Sequence, residues 1–466
     1  MKSKNPLLQR WRDTLARKGD ATAIFQTGAE VTFLEIEKRA QAFETKLDRF
    51  VSGEVMAVQI GNHPDWPSLL IAGWRRGLVV LPLETSLGQG ERDAILKICQ
   101  ASSVAAAVPG RTELEIQRLR TAAPTEAIDW GDQPPALLKL TSGTTAAPRA
   151  IRFRGEQLLA DCDNICETMG ITDHDLNFGV IPVSHSYGFS NLLTPLLARG
   201  VPMVLSRDRL PRAVLDDLAR NQATVFPGMP IFFQAFSSMA RRPALPHLRL
   251  HISAGAPLTA ALAKKFQEEF KQPIHSFYGS SECGGICYDR EGATFEDGFV
   301  GTPMNGVNVT LSDPAADSNQ IRVVSAAVGD GYFPEQDEEK LGSGVFVPDD
   351  LLARDHSGFR IVGRVSDLIN VAGKKVNPAE VEAHLLAFAG VRQAVVFGRK
   401  SSLRHEEVAA CVVADAGIGE AELLKFCRER LSGWQVPKRI FIVDEIPANE
   451  RGKTSRRELA AQFATL

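Results

Sequence analysis

The segment from residue 140 to residue 149 combines residue types that suit the binding of an anion. It reads Leu-Thr-Ser-Gly-Thr-Thr-Ala-Ala-Pro-Arg, so four hydroxyl side chains surround one glycine and a guanidinium follows the closing proline. A turn of this kind can direct several O–H and backbone N–H donors at one anion, and the arginine adds a permanent positive charge. The segment therefore predicts a loop that binds a polyphosphate, with an ordinary Ser/Thr-rich surface turn as the alternative.

The elements around this loop can be predicted from hydrophobic periodicity. A short apolar run at residues 136–140 predicts a strand that leads into the loop. Apolar runs of strand length alternate with amphipathic helical segments on both sides of it; the runs are residues 55–60, 79–83, 103–108, 177–181, 201–205, 224–226, 249–253 and 274–277. This alternation indicates crossover connections and a mostly parallel sheet. Several runs end in loops of small and polar residues, and ligands bind at that edge of an open parallel sheet.

The pattern changes twice after residue 300. Shorter alternating runs predict a small antiparallel or barrel-like subdomain at about residues 301–364. Residues 365–466 then predict a compact α+β unit whose size suits an independent domain. We therefore predict an α/β protein with a large N-terminal domain, residues 1–364, and a small C-terminal α+β domain, residues 365–466, with the boundary at Val365-Ser366.

Composition excludes several functional classes. The chain has 466 residues, of which 44% are hydrophobic and 23% charged, as is typical of a globular protein with two or more domains. The formal net charge of −3 argues against nucleic-acid binding. Seven scattered cysteines indicate reduced thiols, and no histidine cluster completes a zinc site with them. Because neither a signal peptide nor a transmembrane segment is evident, we expect a soluble cytoplasmic protein.

Further motifs follow the loop along the chain. They are Gly255-Ala256-Pro257, Tyr-Gly-Ser-Ser-Glu at 278–282, Asp350 with Gly363-Arg364, Gly-Lys-Lys-Val-Asn-Pro-Ala-Glu at 373–380 and Pro-Ala-Asn-Glu-Arg-Gly-Lys at 447–453. Together and in this order, the motifs resemble those of the adenylate-forming superfamily, which includes acyl-CoA synthetases, aryl-CoA ligases, luciferases and adenylation domains. The resemblance covers nearly the whole chain. Gly452-Lys453-Thr454 alone also looks like the end of a Walker A motif, but Pro447 stands where that motif needs glycine, so we reject a P-loop NTPase.

The resemblance implies a set of nucleotide-binding residues. They are Thr141, Ser142, Gly143, Thr144, Thr145, Arg149, Gly255, Ala256, Pro257, Tyr278, Gly279, Ser281, Asp350 and Arg364. Tyr278 offers a flat face for adenine, and Asp350 accepts the ribose hydroxyls, with the adjacent Asp349 as the alternative. Glu282 is the implied Mg²⁺ ligand, because a hard cation that bridges phosphates prefers a carboxylate and waters. The alternative for Glu282 is a carboxylate that stabilises a helix start.

Lys453 and His185 are the implied catalytic residues. Lys453 can contact both the substrate carboxylate and the α-phosphate as a compact positive charge where two anions meet, and a solvated basic tail is the alternative interpretation. His185 resembles the gating position beside the acyl pocket. The resemblance also implies that the C-terminal domain is mobile, with its hinge at Ser366, and that Gly373 lets a slim pantetheine arm pass.

The implied activity is that of an ATP-dependent ligase. It converts a fatty or aryl carboxylic acid to an acyl-adenylate with release of pyrophosphate and then forms a thioester with coenzyme A, so ATP, Mg²⁺ and coenzyme A or a phosphopantetheine carrier are expected. One alternative is transfer to an acyl carrier protein, and another is a non-catalytic relative that binds nucleotide or acyl-adenylate. Amino acids are disfavoured, because no aspartate lies near His185 to pair with a buried ammonium. The acid, the acceptor and the oligomeric state, a homodimer included, stay open.

The sequence departs from the family's pattern in three places. In the phosphate loop, Ala146 stands where glycine is usual and Arg149 where lysine is usual; the hinge position is Ser366, where aspartate or lysine is common; and residues 347–349 before Asp350 lack the usual Thr-Gly. Alanine does not readily adopt a positive φ, so the loop is expected to close differently. Arginine keeps the positive charge but binds as a planar fork rather than as a point charge.

Overall fold

The computed structural model describes most of the chain, with short gaps. The described ranges are residues 5–26, 28–108, 113–119, 128–141, 149–206, 208–294, 296–312, 319–371, 374–401, 405–446 and 456–463. The chain forms two compact units, one made of Met1–Thr310 with Arg322–Val347 and the other of Leu311–Ile321 with Pro348–Leu466. The predicted domain limits, with their boundary at Val365-Ser366, stay a prediction.

The first half of the N-terminal unit alternates helices with short strands. Its elements are α1 (Pro6–Lys18), β1 (Thr22–Gln26), β2 (Ala29–Thr32), α2 (Phe33–Lys46), β3 (Val55–Gln59), α3 (Trp66–Arg75), β4 (Val79–Pro82), α4 (Gln89–Ile98), β5 (Ala101–Ala107), β6 (Leu114–Arg118), β7 (Leu137–Leu140), β8 (Ala150–Phe153) and α5 (Gly155–Met169). Local sequence signals set several of the boundaries. At the start of α2, Thr32 and Glu35 form a capping box that satisfies two backbone donors.

The chain then continues to alternate short strands with helices before it changes to consecutive strands. The elements are β9 (Asn177–Gly179), α6 (Ser186–Gly188), a π-helical turn (Phe189–Leu193), α7 (Thr194–Arg199), β10 (Met203–Leu205), α8 (Pro211–Asn221), β11 (Val225–Gly228), α9 (Pro230–Ser237), β12 (Leu250–Ser253), α10 (Ala260–Phe270), β13 (His275–Ser280), β14 (Gly284–Tyr288), β15 (Phe299–Pro303), β16 (Val307–Leu311), β17 (Asn319–Ser325), β18 (Gly331–Phe333), β19 (Leu341–Gly342) and β20 (Val345–Phe346). The single helix predicted after residue 188 is thus interrupted by the π-helical turn, a feature frequent at functional sites.

Two sheets organise the N-terminal unit. The first has the strand order β18-β8-β7-β4-β3-β5-β6, and its four central strands run parallel while both edges are antiparallel. In the second, parallel pairing extends through the order β13-β12-β11-β9-β10-β1, with β2 antiparallel at one edge. Each sheet has its own apolar cluster, built around Phe226 and Phe233 in one case and around Leu81 and Leu138 in the other. The predicted mixed α/β fold with mostly parallel central strands is confirmed.

The C-terminal unit is built on a smaller sheet. After β21 (Asp350–Arg354) and β22 (Phe359–Arg364), a 3₁₀ turn (Val365–Asp367) leads to β23 (Ile369–Val371), β24 (Lys374–Val376), α11 (Pro378–Leu386), β25 (Val391–Ser401), β26 (His405–Ala414), α12 (Glu420–Arg430), β27 (Arg439–Ile442) and α13 (Arg456–Gln462). Strands β24, β23, β26 and β25 are adjacent in that order, and β27 pairs with β26. Val396, Val408 and Leu423 belong to the main apolar cluster beneath the sheet. Whether the strands between 301 and 364 close a barrel stays a prediction.

Across the described parts of the chain, no helix combines the length and the apolar composition that crossing a membrane requires.

Candidate functional site

The carboxyl ends of adjacent parallel strands bring the predicted adenine-binding segments together. Strand β12 pairs with β13 so that Ser253 lies opposite Ser276. Two residues further along each strand, the chain reaches Gly255 on one side and Tyr278 on the other. Gly255 is exposed, whereas the Tyr278 side chain is only 7% exposed. The sheet therefore brings the small-residue turn and the Tyr278 segment to neighbouring strand ends, and their role in binding adenine stays a prediction.

Glu282 is held in a turn between β13 and β14. Its Oε1 accepts a hydrogen bond of 3.2 Å from the hydroxyl of Tyr332, and its Oε2 accepts one from the hydroxyl of Ser280. The backbone carbonyl of Glu282 accepts a 2.9 Å hydrogen bond from the N–H of Gly329. These contacts fix the orientation of the carboxylate, and the alternative of a helix-start carboxylate is wrong because strand β14 follows the turn.

Tyr332 also meets the end of the predicted phosphate loop. The guanidinium carbon of Arg149 lies 4.3 Å from the centroid of the Tyr332 ring, a cation–π contact. Burial and the neighbouring charge of Glu282 raise the pKa of the Tyr332 hydroxyl, so it remains a donor. One tyrosine therefore links the cation at the end of the loop to the predicted metal ligand. The sequence interpretation missed Tyr332, because it lies on β18, fifty residues after Glu282, outside every quoted motif.

The two ends of the phosphate loop are joined. The backbone N–H of Thr141 donates to the carbonyl of Arg149 over 2.9 Å, which extends the antiparallel pairing of β7 with β8. The predicted loop residues between them, Ser142, Gly143, Thr144 and Thr145, lie outside the described residues, as does Ala146.

His185 lies on a loop that is fixed from two sides. The Asn62 amide donates to the carbonyls of Gly179 (3.3 Å) and Ile181 (3.2 Å) and accepts from the N–H of Val183 (3.0 Å). The loop turns back so tightly that a Cβ on Gly188 would lie 2.2 Å from the carbonyl oxygen of Pro182. Asn62 was not among the predicted site residues, because a lone amide in the loop after β3 belongs to no motif.

The His185 loop also contacts the Glu282 turn. The hydroxyl of Ser186 donates to the hydroxyl of Ser281 over 2.8 Å. His185 itself caps the short helix α6, where its Nδ1 accepts from the N–H of Tyr187. The structure thus brings the predicted gate and the predicted metal segment side by side.

The apolar residues near this loop belong to the core. Phe189, Leu192 and Leu193 are buried, and Phe233 and Phe236 pack around the ring of Phe226 with centroid distances of 5.6 Å. These side chains therefore contribute to the packed interior of the N-terminal unit.

The Glu282 turn offers ligands that suit Mg²⁺. A carboxylate and the hydroxyls of Ser280 and Ser281 are oxygen donors, which this hard cation prefers. Within the described ranges, no cluster of three or more His, Cys, Asp or Glu side chains forms a cage of protein ligands. A single carboxylate fits Mg²⁺ that keeps its waters and binds substrate phosphates, because that cation dehydrates reluctantly.

The C-terminal unit carries the predicted ribose pair. Asp350 and Arg364 are opposite each other on β21 and β22, and Arg364 Nε donates to Asp350 Oδ1 over 2.8 Å. The neighbouring Asp349 accepts a 2.7 Å hydrogen bond from the N–H of Val365 through its carbonyl. The predicted hinge residue Ser366 lies in the 3₁₀ turn that follows. Gly373 and Lys453, the predicted tunnel and catalytic residues, lie outside the described residues.

Arg456, three residues after Lys453, is anchored within the same unit. Its guanidinium donates to Asp367 (2.6 Å) and to both carboxylate oxygens of Glu382 (2.9 and 3.0 Å). Its Nε donates to the carbonyl of Val396 (2.9 Å). The basic side chain at this position is therefore part of a fixed ionic network and not a freely solvated tail.

Comparison with known proteins agrees with this arrangement. The profile of the AMP-binding enzyme family matches residues 11–323, and that of the AMP-binding enzyme C-terminal domain matches residues 380–453. The chain is 29% identical to a feruloyl-CoA synthase of Amycolatopsis over 95% of its length and 96% of the relative's. It is 25% identical to a long-chain-fatty-acid–CoA ligase of Escherichia coli over 97% of its length and 94% of the relative's.

A solved structure shares the whole architecture. The crystal structure of ATP-bound MatB from Rhodopseudomonas palustris superimposes with a TM-score of 0.85 at 26% identity, covering 100% of this chain and 99% of that one. The family profile covers most of the chain, and the phosphate loop, the segments at 255–257 and 278–282 and the motif at 447–453 lie within the matched regions. The chain therefore belongs to the AMP-binding enzyme family, the adenylate-forming superfamily of acyl-CoA synthetase-like ligases.

Proposed function

We propose that this protein activates a carboxylic acid with ATP and transfers the acyl group to the thiol of coenzyme A. The observation that carries the proposal is the contact of Arg149 and Glu282 with Tyr332: Arg149 lies over its ring, and Glu282 accepts a hydrogen bond from its hydroxyl. A cation, a fixed carboxylate and an aromatic ring in mutual contact suit a magnesium-bound nucleotide.

The first step joins an anion to a polyanion. One oxygen of the substrate carboxylate attacks the α-phosphorus of ATP, the bond from that phosphorus to the bridging oxygen breaks, and pyrophosphate leaves with its electron pair. Positive charge at the point of exchange lowers the barrier, because charge is redistributed there in the transition state. We assign Arg149 to the phosphates that leave and Lys453 to the α-phosphate and the acid.

The metal has its own place in this proposal. When bound, Mg²⁺ neutralises phosphate charge and orients the phosphate chain. Glu282 is the residue that would hold it. The hydrogen bonds from Tyr332 and Ser280 fix the orientation of the carboxylate, and each oxygen keeps a lone pair that could bind the cation. Ser281 supports the same turn through Ser186.

The second step replaces the nucleotide by sulfur. The thiol of coenzyme A loses its proton and attacks the acyl carbon, and AMP leaves as the C–O bond to its phosphate breaks. We propose Ser366 as the hinge that exchanges the two states, Gly373 as the passage for the pantetheine arm and His185 as the gate beside the acyl group. Asp350 and Arg364 would bind the ribose in both steps.

The acid is a fatty or an aryl acid in this proposal. Two relatives named above, one for feruloyl-CoA and one for long-chain fatty acids, support these two classes and coenzyme A as the acceptor. The cytoplasmic location and the homodimer stay predictions from the sequence.

The deciding experiment is carboxylate-dependent exchange between ATP and labelled pyrophosphate across a panel of fatty and aryl acids. We expect exchange with at least one acid, and a loss of about 10²–10³-fold in Lys453→Ala. Lys264→Ala, an exposed lysine on α10, is the matched control and should exchange like the wild type. Exchange with none of the acids, or undiminished exchange in Lys453→Ala, would contradict the proposal.

The acceptor is tested on the same preparation. With the active acid, coenzyme A and a holo acyl carrier protein are offered in parallel, and thioester formation is followed by mass spectrometry. We expect the coenzyme A thioester. A product that forms only on the carrier protein would replace coenzyme A by the carrier as the acceptor.

A further inference from the structure

A lysine lies in the interior of the N-terminal unit, directly before the phosphate loop. Lys139 is on β7, two residues before Thr141, and is only 4% exposed. Its Nζ lies 4.6 Å from the centroid of the Phe153 ring and 5.7 Å from that of Phe189. A cation that is removed from water is costly unless it is paired, so the fold must compensate for it.

The compensation comes through one hydroxyl. Lys139 Nζ donates to Ser190 Oγ over 3.3 Å, and that hydroxyl donates to Asp161 Oδ2 over 2.6 Å. Asp161 is 2% exposed, and Ser190 belongs to the π-helical turn. Burial lowers the pKa of the Lys139 ammonium, and the nearby charges of Asp161 and Glu282 oppose that shift.

The other oxygen of Asp161 reaches the turn that carries Glu282. Asp161 Oδ1 accepts a 3.1 Å hydrogen bond from the backbone N–H of Gly285. Gly284 has a φ of +71°, and a Cβ there would lie 1.9 Å from Asp161 Oδ1, so only glycine permits this approach. A continuous chain of buried contacts thus runs from β7 to a point three residues after Glu282.

We infer that Lys139, Ser190 and Asp161 form a buried anchor that positions the Glu282 turn, and so the divalent cation of the metal–nucleotide, relative to the strand that enters the phosphate loop. The inference deepens the proposed function and rests on it. Partners that orient a metal ligand from behind typically change metal affinity by 10–100-fold when they are removed. These three are positioning residues, because they act through the turn and not on the reacting atoms.

The anchor is tested in the full-length protein with Lys139→Met and Ser190→Ala, and Lys264→Met serves as the exposed control. Binding of Mn²⁺ in the presence of ATP is measured by electron paramagnetic resonance, which reports metal affinity without turnover. We expect affinity to fall about tenfold in Lys139→Met and less in Ser190→Ala, with no change in the control. Ser190→Ala keeps the test available if Lys139→Met does not fold.

Kinetics separate positioning from a merely structural role. In pyrophosphate exchange we expect the half-saturating Mg²⁺ concentration to rise by a similar factor, while KM for the acid stays within about twofold. Unchanged Mn²⁺·ATP affinity in folded variants, even with a lower melting temperature, would overturn the inference. Failure of the proposed function looks different: no acid would support exchange in the wild type, while Mn²⁺·ATP binding would still report on the anchor.

Discussion

Each of the two units holds a cation next to a predicted catalytic segment, and the two cations are held differently. In the N-terminal unit, Lys139 lies two residues before Thr141 and reaches Asp161 through a buried hydroxyl. In the C-terminal unit, Arg456 lies three residues after Lys453, and its side chain is 31% exposed. Arg456 contacts two carboxylates directly, whereas Lys139 is linked to its carboxylate only through the hydroxyl of Ser190.

The difference in burial determines how much stability each cation loses when one of its partners is removed. A buried charge that loses its partner has no water to replace it, so breaking the pair costs far more than the pair itself contributes. A partly exposed arginine that loses one carboxylate keeps its contact with the other, and water can hydrate its guanidinium. We therefore expect the loss of one partner to cost more stability in the Lys139–Ser190–Asp161 anchor than in the contacts of Arg456.

The largest effect is expected from Asp161→Asn. The substitution keeps the size of the side chain but leaves the Lys139 charge uncompensated, so we expect a loss of about 3–5 kcal/mol, read as a lower urea midpoint. The double variant Lys139→Met with Asp161→Asn should recover a substantial part of that loss. Asp216→Asn, in the exposed pair with Arg212, is the control and should change stability by less than about 1 kcal/mol. A double variant no more stable than Asp161→Asn would contradict this account.

A second buried base in the N-terminal unit, His251, lies among aromatic rings. His251 is packed against Phe266 at a centroid distance of 5.0 Å, and among the described residues its Nδ1 has no hydrogen-bond partner. Burial, with a contribution from His275, lowers the pKa of His251 from 6.5 to about 3. Between those values the unfolded chain binds a proton that the folded protein excludes, so stability falls as pH falls below about 6.5.

The loss of stability at low pH that His251 causes gives the next prediction. At pH 4.5, the His251 proton should cost about 2–3 kcal/mol of stability relative to pH 7. His251→Leu should remove this part of the acid sensitivity, which is checked by comparing urea midpoints at the two pH values. His247→Leu serves as a control, because that residue is exposed. An equal pH dependence in His251→Leu and the wild type would show that the histidine is not excluded from protonation.

A smaller effect is expected from Arg456→Met in the C-terminal unit. The substitution removes the contacts with Asp367 and Glu382, but both carboxylates can be hydrated, so we expect a loss of about 1 kcal/mol. Arg392→Met, which breaks an exposed pair with Asp415, is the matched control and should have no measurable effect. A loss as large as that in Asp161→Asn would remove the distinction between the two anchors.

An effect of similar size, measured in activity and not in stability, is expected from Tyr332→Phe. The ring and its contact with Arg149 remain, and only the hydrogen bond to Glu282 is lost, which is a change of about 0.5–1.5 kcal/mol. We expect pyrophosphate exchange to fall by about two- to tenfold, with a higher Mg²⁺ requirement. Tyr288→Phe, at the end of β14 farthest from the Glu282 turn, is the control. An unchanged Mg²⁺ requirement would separate Tyr332 from the metal site.

Much of the fold follows from local periodicity. The helical segment between the runs at 249–253 and 274–277 is observed as Ala260–Phe270, because its apolar positions recur at helical spacing. Strand β14 was not predicted, since Gly284 and Gly285 are poor strand formers and only pairing with β13 makes them extended. The apolar run at residues 136–140 predicts strand β7, but its pattern gives no sign that Lys139 within it is buried.

The sequence alone determined the order of the motifs, the alternation of strands and helices and the family, because these depend on residue types and on local spacing. Only the tertiary structure decided which side chains meet. Lys139 is linked to Asp161 through Ser190, and Tyr332 donates a hydrogen bond to Glu282. Arg456 donates to Asp367 and Glu382, which are distant from it along the chain. Burial and the pairing of distant charges depend on how whole elements pack, and no local pattern encodes that packing.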